Sequence, residues 1–299
     1  MKKISVLILL CLLASCGKKQ DTGNSTGDSK STTSGNNTSD TKTNSDESKK
    51  DSKVTDSPVI GSYTGGFQAS VYDKTKEYVY ENRITIFIDT VAGDVLSGHS
   101  VVAGNNRPFK GIIKLDGKIY NAEASEPGDD KYDGKFSFKV DPASGTLEGT
   151  WKANDKKLDV TERTYTLSKK QFKYDAAANL PEDVQWAELY EKNPKFPDKF
   201  ESVTPDVTKI NASAKELTKK DIENLYKGDL EIIRNAIYAR HGYSFKTRRI
   251  RFIFDQYVPW YMPVTTDARG DLTEIEKKNI ELMKRYEEHA EKYYDEYGR

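Results

Sequence analysis

Few residues in this chain have the chemistry to build a catalytic or metal site, and their spacing narrows the choices further. Among 299 residues there are 3 His and 2 Cys. His99, His241 and His289 are scattered along the chain. The sequence holds no H-E-x-x-H, no G-x-S-x-G, no nucleotide loop and no Cys–His pair. The densest polar cluster is Glu126-Pro127-Gly128-Asp129-Asp130-Lys131-Tyr132-Asp133-Gly134. As a calcium loop it places Asp129, Asp133 and Gly134 correctly, but Lys131 takes a ligand position and Val140 stands where a bidentate Glu is needed. An acidic hairpin turn is the plainer reading. His99 has no acid or nucleophile at a recognisable spacing. These residues predict no catalytic centre, no metal and no cofactor, so the protein is read as non-enzymatic.

The residue with the clearest chemistry is Cys16. A basic start, Met1-Lys2-Lys3, precedes an apolar run from Ile4 to Leu13. Ten helical residues rise only about 15 Å, half of a hydrocarbon core of about 30 Å, so the run reads as a signal-peptide core and not a span. Leu13-Ala14-Ser15-Cys16 then resembles the bacterial lipobox. The resemblance implies cleavage between Ser15 and Cys16 and acylation of Cys16, palmitate included, giving a membrane partner through lipid. Several chains, each adding about 0.8 kcal/mol per buried CH₂, make such an anchor stable. Cys11 leaves with the signal peptide, which suits an oxidising compartment. Gly17 after the Cys favours the outer membrane by analogy with enterobacterial sorting. From Gly17 to Ser57 the chain has no aromatic and one aliphatic residue, Val54. Such a composition cannot offset ordering entropy, so residues 16–57 are expected to form a disordered tether with an r.m.s. span of about 35 Å.

Two different elements must carry the remaining chemistry. From 58 to 175 the hydrophobic period is two. Ile84, Ile86 and Ile88 share a strand face, as do Phe136, Phe138 and Val140, and Leu147 and Trp151 align across Gly149. Turn signals such as Ala92-Gly93-Asp94, Gly104-Asn105-Asn106, Asp116-Gly117 and Ala143-Ser144-Gly145 separate about eight strands. The expected domain is an antiparallel β barrel or sandwich, and a closed eight-stranded barrel has room for one small ligand. Its opening at Gly61-Ser62-Tyr63 resembles that of lipocalin-like barrels, with Tyr63 where their signature has Trp. Residues 176–207 carry four prolines and read as an ordered connector, with a short helix expected over Pro181–Tyr190 and with Trp186 and Phe196 packing on a neighbour.

From 208 to 299 the period becomes helical. Thr218 and Asp221 suggest a helix start, Gly228 a stop, and Asp229 the cap of a second helix ending at His241 with Gly242 beyond it. At 100° per residue, Leu230, Ile233, Ile237 and His241 fall on one stripe, with Arg234 and Tyr238 on its flank. In the last helix Leu272, Ile275, Leu282, Met283 and Tyr286 make a stripe centred on Asn279. A buried Asn needs partners, which are expected on the second helix or before Trp260. The tail from Glu287, with His289, reads as a solvated continuation.

Tyr238-Ala239-Arg240-His241-Gly242 is the motif for which the YARHG domain family is named. Arg234-Asn235-x-Ile237, Tyr243-x-Phe245, Phe254, Trp260-Tyr261-x-Pro263 and Leu272-x-x-Ile275-Glu276-x-x-Asn279 also resemble that family, and the basic insert Lys246–Arg251 departs from it. The resemblance implies an extracytoplasmic bacterial module. Two readings of the motif stand side by side: a core Arg and His that hold carbonyls and a neighbouring helix, or a groove lined by Arg240, His241, Tyr243, Trp260 and Tyr261 for a glycan or peptide.

The whole is thus α+β: signal peptide 1–15, tether 16–57, β domain 58–175, connector 176–207 and helical YARHG domain 208–299. Lys and Arg total 47, as do Asp and Glu, and this balance argues against nucleic acid, which demands a basic excess. The expected protein is a lipid-anchored cell-envelope lipoprotein that binds a ligand, an envelope protein or a glycan. A structural or assembly role is the alternative, and a glycan or peptide hydrolase a more distant one.

Overall fold

The computed structural model describes residues 57–76, 81–186, 203–290 and 292. The signal peptide, Ser15, Cys16, nearly all of the tether and Phe196 lie outside the described residues.

Eight antiparallel strands follow one another in the order of the sequence: β1 (Gly61–Tyr72), β2 (Asn82–Ala92), β3 (Val95–Val102), β4 (Asn105–Asp116), β5 (Ile119–Ser125), β6 (Gly134–Asp141), β7 (Thr146–Ala153) and β8 (Val160–Lys169). β8 returns to pair with β1 along most of its length and closes the barrel, so no strand edge is left open. Short turns set the register. Between β3 and β4 the two residues Ala103 and Gly104 both take positive φ, 52° and 73°, the geometry of a two-residue hairpin turn whose twist matches the strands.

The inward faces fill the barrel. Tyr63, Phe67, Ile84, Ile86, Leu96, Phe109, Phe136, Phe138, Leu147, Trp151 and Leu167 are all buried in one cluster. Phe67, Trp151, Tyr165 and Phe136 meet edge-on or tilted at centroid separations of 5.8–6.2 Å. Aromatic bulk therefore occupies the space where a ligand would sit in an open barrel. The Tyr63 hydroxyl donates to the carbonyl of Val59, which plugs one end.

The acidic stretch after β5 folds on itself. Asp133 accepts from the Arg107 guanidinium and from the amides of Gly128 and Asp130. Glu126 accepts from the Gly134 amide and the Trp151 indole at 2.6 and 3.1 Å. Its burial outweighs these donors and pushes its carboxyl up to about 7. Among the described residues no group of His, Cys, Asp and Glu could hold a metal ion.

The C-terminal region has a 3₁₀ turn at Pro205–Thr208 and four helices: α1 (Lys219–Ile222), α2 (Lys227–Arg240), α3 (Arg248–Tyr257) and α4 (Glu274–His289). Two sequence expectations fail at the start of α2. Gly228 does not stop a helix but sits in its first turn, and Tyr226, not Asp229, is the cap. Asp229 stands three residues in, where its carboxylate takes the Tyr226 amide and, from outside the helix, the Thr204 amide and hydroxyl. The α4 stripe holds at Leu272, Leu282, Met283 and Tyr286, which join or pack against the core, and departs at one member. Ile275 is exposed, while Ile280 joins the core with Met283. In the connector, residues 182–184 form a turn, Trp186 is helical and buried in the helical core, and the rest of the helix expected over Pro181–Tyr190 lies outside the described residues.

The described residues all fall within one compact unit. Arg83 of β2 donates to the carbonyls of Val258 and Tyr261 just past α3, and its amide binds the buried Asp255 carboxylate at 2.9 Å. The Gly104 amide of the β3–β4 turn donates to the Ser244 hydroxyl. The helical region thus sits against the outside of the barrel.

Candidate functional site

The sequence Tyr238-Ala239-Arg240-His241-Gly242-Tyr243 is the end of α2, and each residue answers to a requirement of that helix end. The Gly242 amide donates to Ala239 and the Tyr243 amide to Tyr238, the paired bonds of a Schellman stop. That stop needs a left-handed residue, and Gly242 has φ of 71°. A Cβ there would strike the Val264 side chain and press on the Met262 carbonyl. The Gly242 carbonyl accepts from Val264 and Thr265, which pins the chain after α3 across the helix end.

Arg240 and His241 point inward. Arg240 is 3% and His241 7% exposed. His241 Nε2 lies 2.8 Å from Glu276 Oε2 of α4. Burial raises the Glu276 carboxyl, but hydrogen bonds from His241, Ser213 and the Thr273 amide together outweigh it and hold the group down at about 2. The Tyr174 hydroxyl donates to the other Glu276 oxygen, and its ring stacks on His241 at 4.4 Å. A His–carboxylate pair resembles half of a hydrolytic triad. Here the Tyr174 ring stacks on the imidazole and both members of the pair are buried.

Arg240 reaches the other way. Its Nε donates to the Ala178 carbonyl and its Nη1 to Ser213, and its guanidinium lies 5.7 Å from the centre of the Trp260 ring. The Trp260 indole donates to the Asn179 carbonyl, and Asn211 donates to that of Ala176. Segment 170–180, leaving β8, is therefore held through its main-chain carbonyls by the motif side chains Arg240 and Trp260 together with Asn211. Tyr261 is 1% exposed, with its hydroxyl on the Tyr243 carbonyl.

Asn279 is buried as its stripe required, but its partners are elsewhere than expected. Its amide donates to Ala212 and Lys215, and its oxygen accepts from Leu217. It anchors the loop before α1, neither α2 nor the approach to Trp260. Arg234 makes a bidentate pair with Glu287, at 2.6 and 2.9 Å, and clamps α2 to α4.

The structure thus divides the sequence-derived site residues. Arg240, His241, Gly242, Tyr261 and Asn279 are buried, and the groove expected from Arg240, His241, Tyr243, Trp260 and Tyr261 does not form. A different concavity of about 520 Å³ exists beside it, lined by Arg234, Tyr238 and Tyr243 together with Phe245, Lys246, Arg269 and Lys284. The rings of Tyr238 and Tyr243 are 6.0 Å apart and partly exposed. This pairing follows from the Schellman stop, which brings the side chains three before and two after the cap together. Sequence reasoning missed Glu276, Tyr174 and Ser213, although Glu276 stands in a quoted motif. Its buried position shows only once α4 is packed.

Residues 207–288 match the YARHG domain family model. This stretch of the helical region, beside the β barrel, is thus similar to YARHG domains, which are typical of extracellular or periplasmic proteins. No curated protein matches the chain. No helix among the described residues is long and apolar enough to cross a membrane.

Proposed function

We infer that this is a lipid-anchored protein of the outer membrane that binds a partner non-catalytically, through the outside of its YARHG domain. The observation that carries the reading is the division of the motif. Its buried members are engaged within the fold, the partly exposed Trp260 is tied to the Asn179 carbonyl, and the barrel is filled, so the partly exposed Tyr238 and Tyr243 with their cationic neighbours are left to meet a partner. The anchor rests on Leu13-Ala14-Ser15-Cys16 and on the composition of the tether. Partners of this kind are envelope proteins or glycans, and the charge balance disfavours nucleic acid.

Two measurements test this in the full chain. Cys16→Ala should move the protein from the membrane to the soluble fraction, and continued retention would refute the anchor. A photo-cross-linking side chain at Tyr243 should give adducts in native membranes that the same group at Tyr132, exposed on the barrel, does not. Equal adducts at both positions, or none, would refute the binding face.

A second reading is favoured by a specific observation. Asn211, Arg240 and Trp260 fix the carbonyls of Ala176, Ala178 and Asn179 in the chain leaving the barrel. In a structural role the YARHG domain is a clamp that holds the barrel in a fixed orientation. Loss of the adducts with no change in phenotype after Tyr243→Ala would favour it.

A further inference from the structure

We propose that the groove between Tyr238 and Tyr243 binds a carboxylate-bearing carbohydrate. This rests on the reading of that face as the binding surface and names the class of ligand.

The floor of the groove is aromatic. Tyr243 stands edge-on to Phe245 at 5.2 Å, and Tyr238 tilts against Tyr243, so two phenol faces meet at an angle over a buried ring. Partly exposed tyrosines offer flat apolar area with a polar edge, which suits the faces of pyranose rings. The rim is charged and unbalanced. Arg234 is paired with Glu287, Arg269 with Asp267, and Arg249 with Glu231. Lys246 and Lys284 also line the groove and have no carboxylate partner among the described residues. Among the lining residues four cations, Arg234, Lys246, Arg269 and Lys284, stand against two carboxylates, Glu231 and Asp267, and leave two positive charges, which complement an anionic ligand and act at a range set by salt.

The backbone argues against a peptide that adds as a strand. The Tyr243 amide is bound to Tyr238, its carbonyl to the Tyr261 hydroxyl, and residue 243 is bridged to Thr265. No free edge is offered there for β-augmentation. A helical ligand needs an apolar groove for its stripe of anchors, whereas this rim alternates in charge. A sugar needs neither. It stacks on the rings, takes hydroxyl hydrogen bonds from the rim, and places its carboxylate near Lys246 and Lys284.

The test uses the full chain in detergent micelles, titrated with linear trigalacturonate and, in parallel, with neutral maltotriose. The expected result is saturable binding of trigalacturonate, at least fivefold tighter than maltotriose at low salt and weakened by added salt. Tyr243→Ala should weaken it about fivefold. Because that change removes ring packing, the exposed charge reversals Lys246→Glu and Lys284→Glu provide a second arm that leaves the core untouched. Each should weaken trigalacturonate about threefold and leave maltotriose unchanged. Absence of binding, equal binding of the two sugars, or indifference to both charge reversals would overturn the proposal. If adducts at Tyr243 in native membranes persist while no saccharide binds, the binding face stands and the carbohydrate assignment falls.

Discussion

Replacing Asn279 with Leu is the sharpest probe of the helical core. The side chain is 1% exposed and makes three hydrogen bonds of 2.7–2.8 Å to the loop before α1. Leu keeps the same branched skeleton of four heavy atoms with bulkier ends, so the change leaves no cavity. It strands the Leu217 amide and the Ala212 carbonyl in a buried site and the Lys215 carbonyl in a part-buried one. Each stranded group costs about 1–3 kcal/mol. Three of them make about 3 kcal/mol the expected lower bound, after the gain from added apolar contact. For a folded unit of this size each kcal/mol lowers Tm by about 2–4 °C. Thermal unfolding followed by circular dichroism at 222 nm should therefore show a drop of about 6–12 °C. Asn279→Asp refines the test. It keeps an acceptor for Leu217 but aims a carboxylate oxygen at two carbonyls, so at neutral pH it should be at least as damaging as Leu. A drop below about 2 °C for Asn279→Leu would show that the loop finds other partners and would refute this account.

Three further outcomes follow from the same geometry. Gly242→Ala should lower stability by more than the roughly 1–2 kcal/mol of a left-handed Cβ, because the new atom also meets Val264, and a Tm within 2 °C of wild type would refute the Schellman argument. Arg240→Lys keeps the charge but loses the fork that reaches Ala178 and Ser213, so limited proteolysis within segment 170–180 should quicken severalfold at unchanged secondary structure. Glu126 has a folded-state carboxyl raised from 4.5 to about 7, so the native state holds its proton over that interval and the unfolded state does not. Stability should then fall as pH rises from about 4.5 to 7, by at most about 3 kcal/mol, and Glu126→Gln should flatten this slope in urea titrations at several pH values.

The fold was legible in particular residues. Alternation at Ile84, Ile86, Ile88 and at Phe136, Phe138, Val140 named both strands and their buried faces, since a period of two has one meaning on a pleated surface. Gly242 announced its helix end because a Schellman stop admits little else. Gly228 and Asp229 misled for the converse reason. Both are common at helix boundaries, and the partner that settled their roles was Thr204, 25 positions from Asp229. The period put Ile275 on the buried stripe, yet it is exposed and Ile280 joins the core, a choice that only packing against the rest of the core made.

The site divides in the same way. By itself the sequence determined which residues form the YARHG motif, where the helix must stop, and that Tyr238 and Tyr243 belong to one helix end. These are local consequences of backbone geometry and of side-chain period. Tertiary structure alone decided that Arg240 and Trp260 hold the carbonyls of segment 170–180, that His241 is paired with Glu276 and covered by Tyr174, and that the barrel interior is filled with aromatic rings. Each of these depends on groups far apart in the chain, and burial and partner choice are properties of the packed whole.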